Sequence, residues 1–121
     1  MTIDLASIAR FVTGGAFLAI GIRNISNHSP LTDLMRQRGV PLPSFSAWAG
    51  IAMQIGFGAL LATGVAAPIA ALGLAVFVAG ATWIAHWPFD KTGVERSDNI
   101  TACLANSIMF GGLLAHTALT L

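Results

Sequence analysis

The polar side chains that could do chemistry in this sequence are few, and three of them interrupt long apolar runs. Arg10, Gln54 and His116 each lie within such a run, so each would be held among apolar neighbours. A guanidinium, a carboxamide and an imidazole that share one cleft could hydrogen-bond an anionic or carbonyl-bearing ligand. Structural alternatives stay open for them. Arg10 could extend its charge to the water interface, and Gln54 could join two helices.

The histidines and the single cysteine are not spaced like the ligands of a metal or haem site. His86 and His116 lie near opposite ends of neighbouring apolar runs, which would put them about 25 Å or more apart if both runs cross a bilayer. His28 could approach His86, but no metalloprotease or zinc pattern is present. The sequence therefore predicts no haem and no metal ion of its own, and Cys103 is expected to act as a small apolar residue.

The composition indicates that lipid, and not water, is the solvent of this chain. Its 121 residues are 55% hydrophobic and 9% charged, and the mean hydropathy is +0.77. A soluble domain carries about 25% charged residues. The net charge of +1 provides no basic surface for nucleic acid.

Four apolar runs are each long enough to cross a bilayer, and together they use most of the chain. In hydrocarbon every backbone amide must be satisfied within its own segment, so all four are predicted to be helices. The fold class is therefore all-α, an integral membrane four-helix bundle that forms one domain over residues 1–121. The predicted spans are residues 5–22 (uncleaved), 45–62, 68–87, and from the capping residues Ser97, Asp98 and Asn99 to the C-terminus.

The loop after the first span is predicted to contain a short interfacial helix. Ser29 can cap it, Pro30 suits its first turn, and Gly39 can end it. Its apolar residues fall on one face, which is typical of a helix that lies in the membrane surface. A solvated loop is the alternative, because so short a helix has little intrinsic stability. The residues of that face are Leu31, Leu34 and Met35.

The basic residues predict the orientation in the membrane. All but Arg10 fall in the two longer loops, so the positive-inside rule places residues 24–43 and 88–98 in the cytoplasm and both termini outside. The tryptophans are expected at the cytoplasmic face, as in an aromatic belt. The five basic residues are Arg23, Arg36, Arg38, Lys91 and Arg96, and the tryptophans are Trp48, Trp83 and Trp87.

Small and polar residues at helical spacing predict where the spans pack together. Gly14 and Gly21 share a face with Arg10 in the first span. In the second span Gly50 and Gly58 flank Gln54 at four-residue spacing, and in the last span Gly112 follows Asn106. No Asp or Glu lies within any predicted span, which argues against an ion-coupled transporter. The predicted packing residues are Gly14, Gly21, Gly50, Gly58, Asn106 and Gly112.

Short combinations of glycine, proline and basic residues recur along the chain in a fixed order. They are Ala9-Arg10 with Gly14 and Phe17, Gly21-Ile22-Arg23, Gly39-Val40-Pro41, Ala49-Gly50 to Gly64, Ala70-Ala71-Leu72, His86-Trp87, and Asn106 with Gly111-Gly112-Leu113-Leu114. This order resembles the DoxX family of small four-span bacterial membrane proteins over nearly the whole chain. Gln54 stands where members of that family often carry a glutamate, which puts any proton-handling role of that position in doubt.

The resemblance implies a multi-pass protein of the bacterial cytoplasmic membrane that is linked to quinone-dependent redox systems. The first hypothesis is a non-catalytic subunit or accessory protein that packs against a larger redox complex, or against other membrane subunits or itself. The alternative is a quinone- or lipid-binding oxidoreductase component, in which Arg10, Gln54 and His116 line a cleft that opens to the outer side and hold a quinone carbonyl.

Overall fold

The computed structural model describes residues 4–85 and 93–121 and contains five helices in that part of the chain. Four of them are long and apolar enough to cross a membrane, and the described residues contain no strand. The predicted all-α class is therefore confirmed. The helices are α1 (Leu5–Ser26), α2 (His28–Gln37), α3 (Pro43–Thr63), α4 (Ala67–Ala85) and α5 (Gly93–Thr120).

Helix α1 begins at a side-chain cap and runs further than predicted. The Asp4 carboxylate accepts a hydrogen bond of 2.8 Å from the Ser7 amide, which satisfies one unpaired donor of the first turn. That backbone hydrogen bond lowers the pKa of Asp4 below its ordinary value. At its other end α1 continues past Arg23 to Ser26, because polar residues end a span without ending a helix.

The short helix α2 follows α1 after a single residue, Asn27. It begins at His28, so the predicted cap at Ser29 is wrong. Its end agrees with the prediction: Gly39 takes φ +75°, and the Val40 amide then donates to the carbonyl of Met35 at 3.0 Å. The helix packs on α3, with Thr32 buried. Its location in the membrane surface stays a prediction.

Helix α5 begins earlier than the sequence predicted. Ser97, Asp98 and Asn99 lie inside the helix, which starts at Gly93, so their predicted role as caps is wrong. The Asn99 carboxamide donates to the Glu95 carbonyl one turn back, at 2.8 Å. A side-chain hydrogen bond to the carbonyl one turn back lets an asparagine lie inside a helix, although asparagine is also a common cap at a helix start. The predicted end of the third span at 87 lies outside the described residues.

The four long helices form an antiparallel bundle in the spatial order α1, α3, α4, α5. Each consecutive pair is in contact, and the closest packing is between α1 and α3. Residues 64–66 connect α3 to α4, with Gly64 at φ +79°. This end of the bundle is the hairpin end. The opposite end, where α2 lies and α4 finishes, is the loop end, and both described tryptophans are there: Trp48 near the start of α3 and Trp83 near the end of α4.

The core is built from small side chains of α4 and a few large ones from its neighbours. Phe17 is the core residue of α1 and Leu113 that of α5. Leu61, Leu74 and Leu113 are the largest fully buried side chains. The α4 contribution is mostly alanine, which lets α3 and α5 approach its backbone. The buried residues of α4 are Ala67, Ala70, Ala71, Leu74, Ala75 and Val78.

Candidate functional site

The seam between α1 and α3 is a close approach of two backbones. A Cβ atom on Gly14 would lie against the backbone nitrogen of Ala62 and 2.5 Å from the carbonyl oxygen of Gly58. A Cβ on Gly58 would lie 2.8 Å from the amide nitrogen of Leu18. Neither helix could carry a larger residue there without moving away. The seam continues at Gly21, where a Cβ would lie 2.7 Å from the Ile55 side chain.

Gln54 is buried at the loop-end half of this seam and has a specific partner. Its Oε1 atom accepts a hydrogen bond of 3.0 Å from Nδ2 of Asn24. Only 6% of its surface is exposed. The bond joins α1 to α3 through two neutral amides, so it holds the register of the pair without burying a charge. Asn24 was not predicted as a site residue, although its position three residues after Gly21 on the α1 face was a signal for it.

Arg10 lies at the hairpin end, beside the last turn of α3. Its Nη2 atom donates to the Ser7 hydroxyl at 3.1 Å, and a Cβ on Gly64 would be 3.7 Å from its Nε atom. The unpaired carbonyls at the end of a helix favour a cation, so the position suits a guanidinium. A cavity of about 380 Å³ adjoins it. The cavity is lined by Ser7, Ile8, Arg10, Phe11, Ala62, Thr63 and Gly64.

His116 connects α5 to α1 at the same end. Its Nε2 atom lies 3.5 Å from the hydroxyl of Thr13, and both side chains are partly buried. Thr13 follows Arg10 by one helical turn, so Arg10 and His116 share the hairpin end. Gln54 is bonded to Asn24, about 21 Å from position 10 along α1. The structure therefore does not bring Gln54 into one cleft with Arg10 and His116.

A further polar link in the bundle joins α4 to α5. Nδ2 of Asn106 donates to the Thr82 hydroxyl at 2.9 Å, and Thr82 in turn donates to the Val78 carbonyl at 2.6 Å. Asn106 was predicted as a packing residue, whereas Thr82 was not predicted to have any role. A threonine in an apolar run has no distinctive spacing, so only its partner reveals its role.

The remaining packing glycines differ in their surroundings. Gly50 faces α4, where a Cβ would be 3.3 Å from the ring of Phe77. Gly112 has nothing within 4 Å of a Cβ position, so it makes no close approach to another helix among the residues that the structure describes. Its predicted packing role remains a hypothesis for a contact with another chain. Gly73 was not predicted as a packing residue, but it lies against the Phe57 ring, and a Cβ atom on it would be 2.6 Å from that ring.

A second cavity lies between α4 and α5 and was not predicted. Its volume is about 400 Å³, and its lining comes from these two helices alone. The Asn106–Thr82 pair borders it. The lining residues are Val78, Ala79, Thr82, Trp83, Ile100, Cys103, Leu104, Asn106, Ser107 and Phe110.

The histidines and acidic residues do not form a metal-binding group in the part of the chain that the structure describes. No three of its His, Cys, Asp or Glu residues are placed to hold an ion. His28 instead stacks obliquely on Trp48, with ring centroids 4.8 Å apart. His86 lies outside the described residues, and so does any approach of His28 to it. The absence of haem and metal stays a prediction.

The comparison with protein families supports the resemblance found in the sequence. A model of the DoxX family matches residues 5–87, which is more than two thirds of the 121-residue chain and includes α1 to α4. The match stops before α5, so the likeness at Asn106 and Gly111–Leu114 rests on the sequence reading alone. No match was found among curated proteins or among solved structures.

Proposed function

This chain belongs to the DoxX family of multi-pass membrane proteins, and we propose that it is a non-catalytic subunit that packs against a larger quinone-linked redox complex in the bacterial cytoplasmic membrane. The arrangement of the predicted site residues supports a non-catalytic role. Gln54 and Asn106 are each engaged in a hydrogen bond between helices, and Gln54 lies far from Arg10. Both amides join helices of the bundle, Gln54 between α1 and α3 and Asn106 between α4 and α5.

The observation that carries the proposal is the exposure of α5 together with its two adjacent glycines, Gly111 and Gly112. Only Leu113 is buried among its 28 residues, whereas six of the 19 residues of α4 are buried. Exposed apolar side chains contact lipid without penalty, so exposure by itself does not require a partner. Glycines give the stronger argument, because each one in a helix interior costs about 1 kcal/mol relative to alanine. A Cβ atom on Gly111 or Gly112 would meet nothing within 4 Å in the described part of the chain.

Small residues of this kind allow another transmembrane helix to approach closely. Four other residues of α5, at helical spacing from Gly112, are also exposed: Thr101, Ala105, Ile108 and Ala115. We therefore assign this outer face of α5 as the surface that contacts the partner subunit. It lies on the helix that the family match does not cover, so it would be the part of the chain that distinguishes one partner from another.

Copurification from native membranes tests the proposal. A tagged chain extracted in mild detergent should retain partner subunits in fixed proportion. Gly112→Leu should lose them, because the added side chain fills the close approach. Gly15→Leu is the matched control, since Gly15 also has nothing within 4 Å of a Cβ and lies on α1. Retention of the same partners by both variants would exclude the α5 face, and a chain without any stoichiometric partner would exclude the subunit role.

A quinone-binding role is the alternative, and one observation favours it. Arg10 and His116 lie at the same end of the bundle, and the cavity beside Arg10 has a volume of about 380 Å³. Pockets for small molecules begin at about 300 Å³. The alternative predicts that the isolated chain retains a redox-active quinone that absorbs in the ultraviolet, and that Arg10→Gln releases it. The subunit role predicts no such retention by the chain alone.

A further inference from the structure

The cavity between α4 and α5 is open on the side that faces the membrane. Trp83 and Leu104, one from each helix, line it and are 66% and 62% exposed. At its inner wall are Val78, which is buried, and Phe110, which is partly buried. The cavity lies in the loop-end half of the bundle, since Thr82 is one turn from the end of α4.

The chemistry of the lining restricts what can occupy the cavity. None of the lining residues that belong to 4–85 and 93–121 carries a charge, so this lining provides no counter-ion for a phosphate or an ammonium group. The Asn106 carboxamide uses one N–H on Thr82 and carries a second. A neutral oxygen on an otherwise apolar molecule fits this lining best.

The size of the cavity restricts the occupant further. A transmembrane helix is about 10–12 Å wide and about 30 Å long, a volume of more than about 2,000 Å³. The cavity, with about 400 Å³, cannot enclose a helix of another protein. It is instead of the size that takes one flexible hydrocarbon chain.

We propose that this cavity is a specific lipid site, which holds one acyl chain of a bilayer glycerolipid with an ester carbonyl near the Asn106 carboxamide. The chain fills the space between α4 and α5 that protein side chains leave open. It thereby adds contacts to a helix in which Leu113 alone is buried among residues 93–120. The proposal is independent of the subunit role, because the cavity and the glycines of α5 are different surfaces.

Native mass spectrometry of the protein in mild detergent tests the site. The wild type should retain one glycerolipid per chain. Ala79→Phe places an aromatic ring in the cavity, and we expect the lipid-bound fraction to fall by about tenfold or more because the volume is filled. Val76→Phe is the matched control. Val76 is on the same helix and 62% exposed, and it does not line the cavity, so the lipid should stay.

The role of the carboxamide is tested separately. Asn106→Leu removes the donor and should release the lipid more easily, whereas Asn106→Gln keeps a carboxamide and should retain more of it. Equal retention by Ala79→Phe and Val76→Phe would overturn the proposal, because the bound lipid would then be unspecific. A wild type with no lipid would also overturn it. An isoprenoid quinone in place of the glycerolipid would overturn it too and would favour the alternative function.

Discussion

The tightest contact in the bundle gives a quantitative test on two neighbouring residues. Gly14 and Gly15 are consecutive in α1, yet they face different surroundings. A methyl group on Gly14 would meet backbone atoms of Gly58 and Ala62, while a methyl group on Gly15 would meet nothing within 4 Å. Gly14→Ala and Gly15→Ala are therefore the same chemical change with and without a neighbour.

The size of the effect follows from the distances. The Gly58 carbonyl oxygen would lie 2.5 Å from the new Cβ of Gly14, and an ordinary contact is about 3.5 Å. Because the opposing atoms are backbone, no rotamer can relieve the clash, and α1 must move away from α3 by about 1 Å. Overpacking of this kind costs about 1–3 kcal/mol. Gly15→Ala should instead gain up to about 1 kcal/mol from helix propensity.

The two variants should thus differ by about 2–4 kcal/mol in free energy of unfolding, with Gly14→Ala the less stable. Reversible unfolding in mixed micelles, titrated with SDS and followed by tryptophan fluorescence, measures this difference. Equal stability of the two variants would refute the reasoning, since α1 and α3 could then not pack backbone to backbone at this point.

Three further predictions concern the polar pair, the orientation and the cofactors. Gln54→Leu should lower the free energy of unfolding by about 1 kcal/mol in the same assay. The double variant Asn24→Leu/Gln54→Leu should lose less than the sum of the two single losses, because the second change removes an amide that the first left unpaired. Strict additivity would show that the two side chains are not coupled. In a cysteine-free background, a cysteine at Thr2 should react with an impermeant maleimide on intact cells and one at Gln37 should not; the reverse pattern would invert the orientation. The chain expressed alone should show neither a Soret band nor stoichiometric metal, and a band lost on His116→Ala would contradict this.

The fold was predictable because one physical constraint determines it. Apolar runs of span length in a chain with few charges must be helices, since lipid offers no partner to a backbone amide. The helix ends were less predictable. α1 runs to Ser26 and is followed by Asn27, whose carboxamide donates to the Arg23 carbonyl. α5 begins at Gly93, and Asn99 inside it donates to the Glu95 carbonyl, so these polar residues do not interrupt the helices. Hydropathy locates where the lipid ends, and the helix need not end there.

The contacts between helices were predictable only in part, since periodicity gives the face of a residue but not what lies opposite. The spacing placed Gly14 and Gly21 on one face of the first span and Gly58 in a separate set on the second, and the structure brings the three into one seam. Gly112 has the same chemical character, but a Cβ on it would meet none of the described residues within 4 Å. The grouping of Arg10, Gln54 and His116 needed the register of α1 against α3. That register depends on which glycines of α1 and α3 lie opposite each other, and a single sequence does not show this.

Two short hydrogen bonds between side chains of different helices group the bundle into two pairs of helices. Asn24 and Gln54 join α1 to α3, and Asn106 and Thr82 join α4 to α5. The two pairs meet where α3 packs on α4, with aromatic rings against glycines, such as Phe57 on Gly73. They also meet where His116 of α5 lies 3.5 Å from the Thr13 hydroxyl of α1, a longer contact than the hydrogen bonds within each pair. Hydrogen bonds fix register, whereas an aromatic ring on a glycine tolerates small sliding. Relative motion in the bundle should therefore occur between the pairs, so that α5 and any partner it binds would move together with α4.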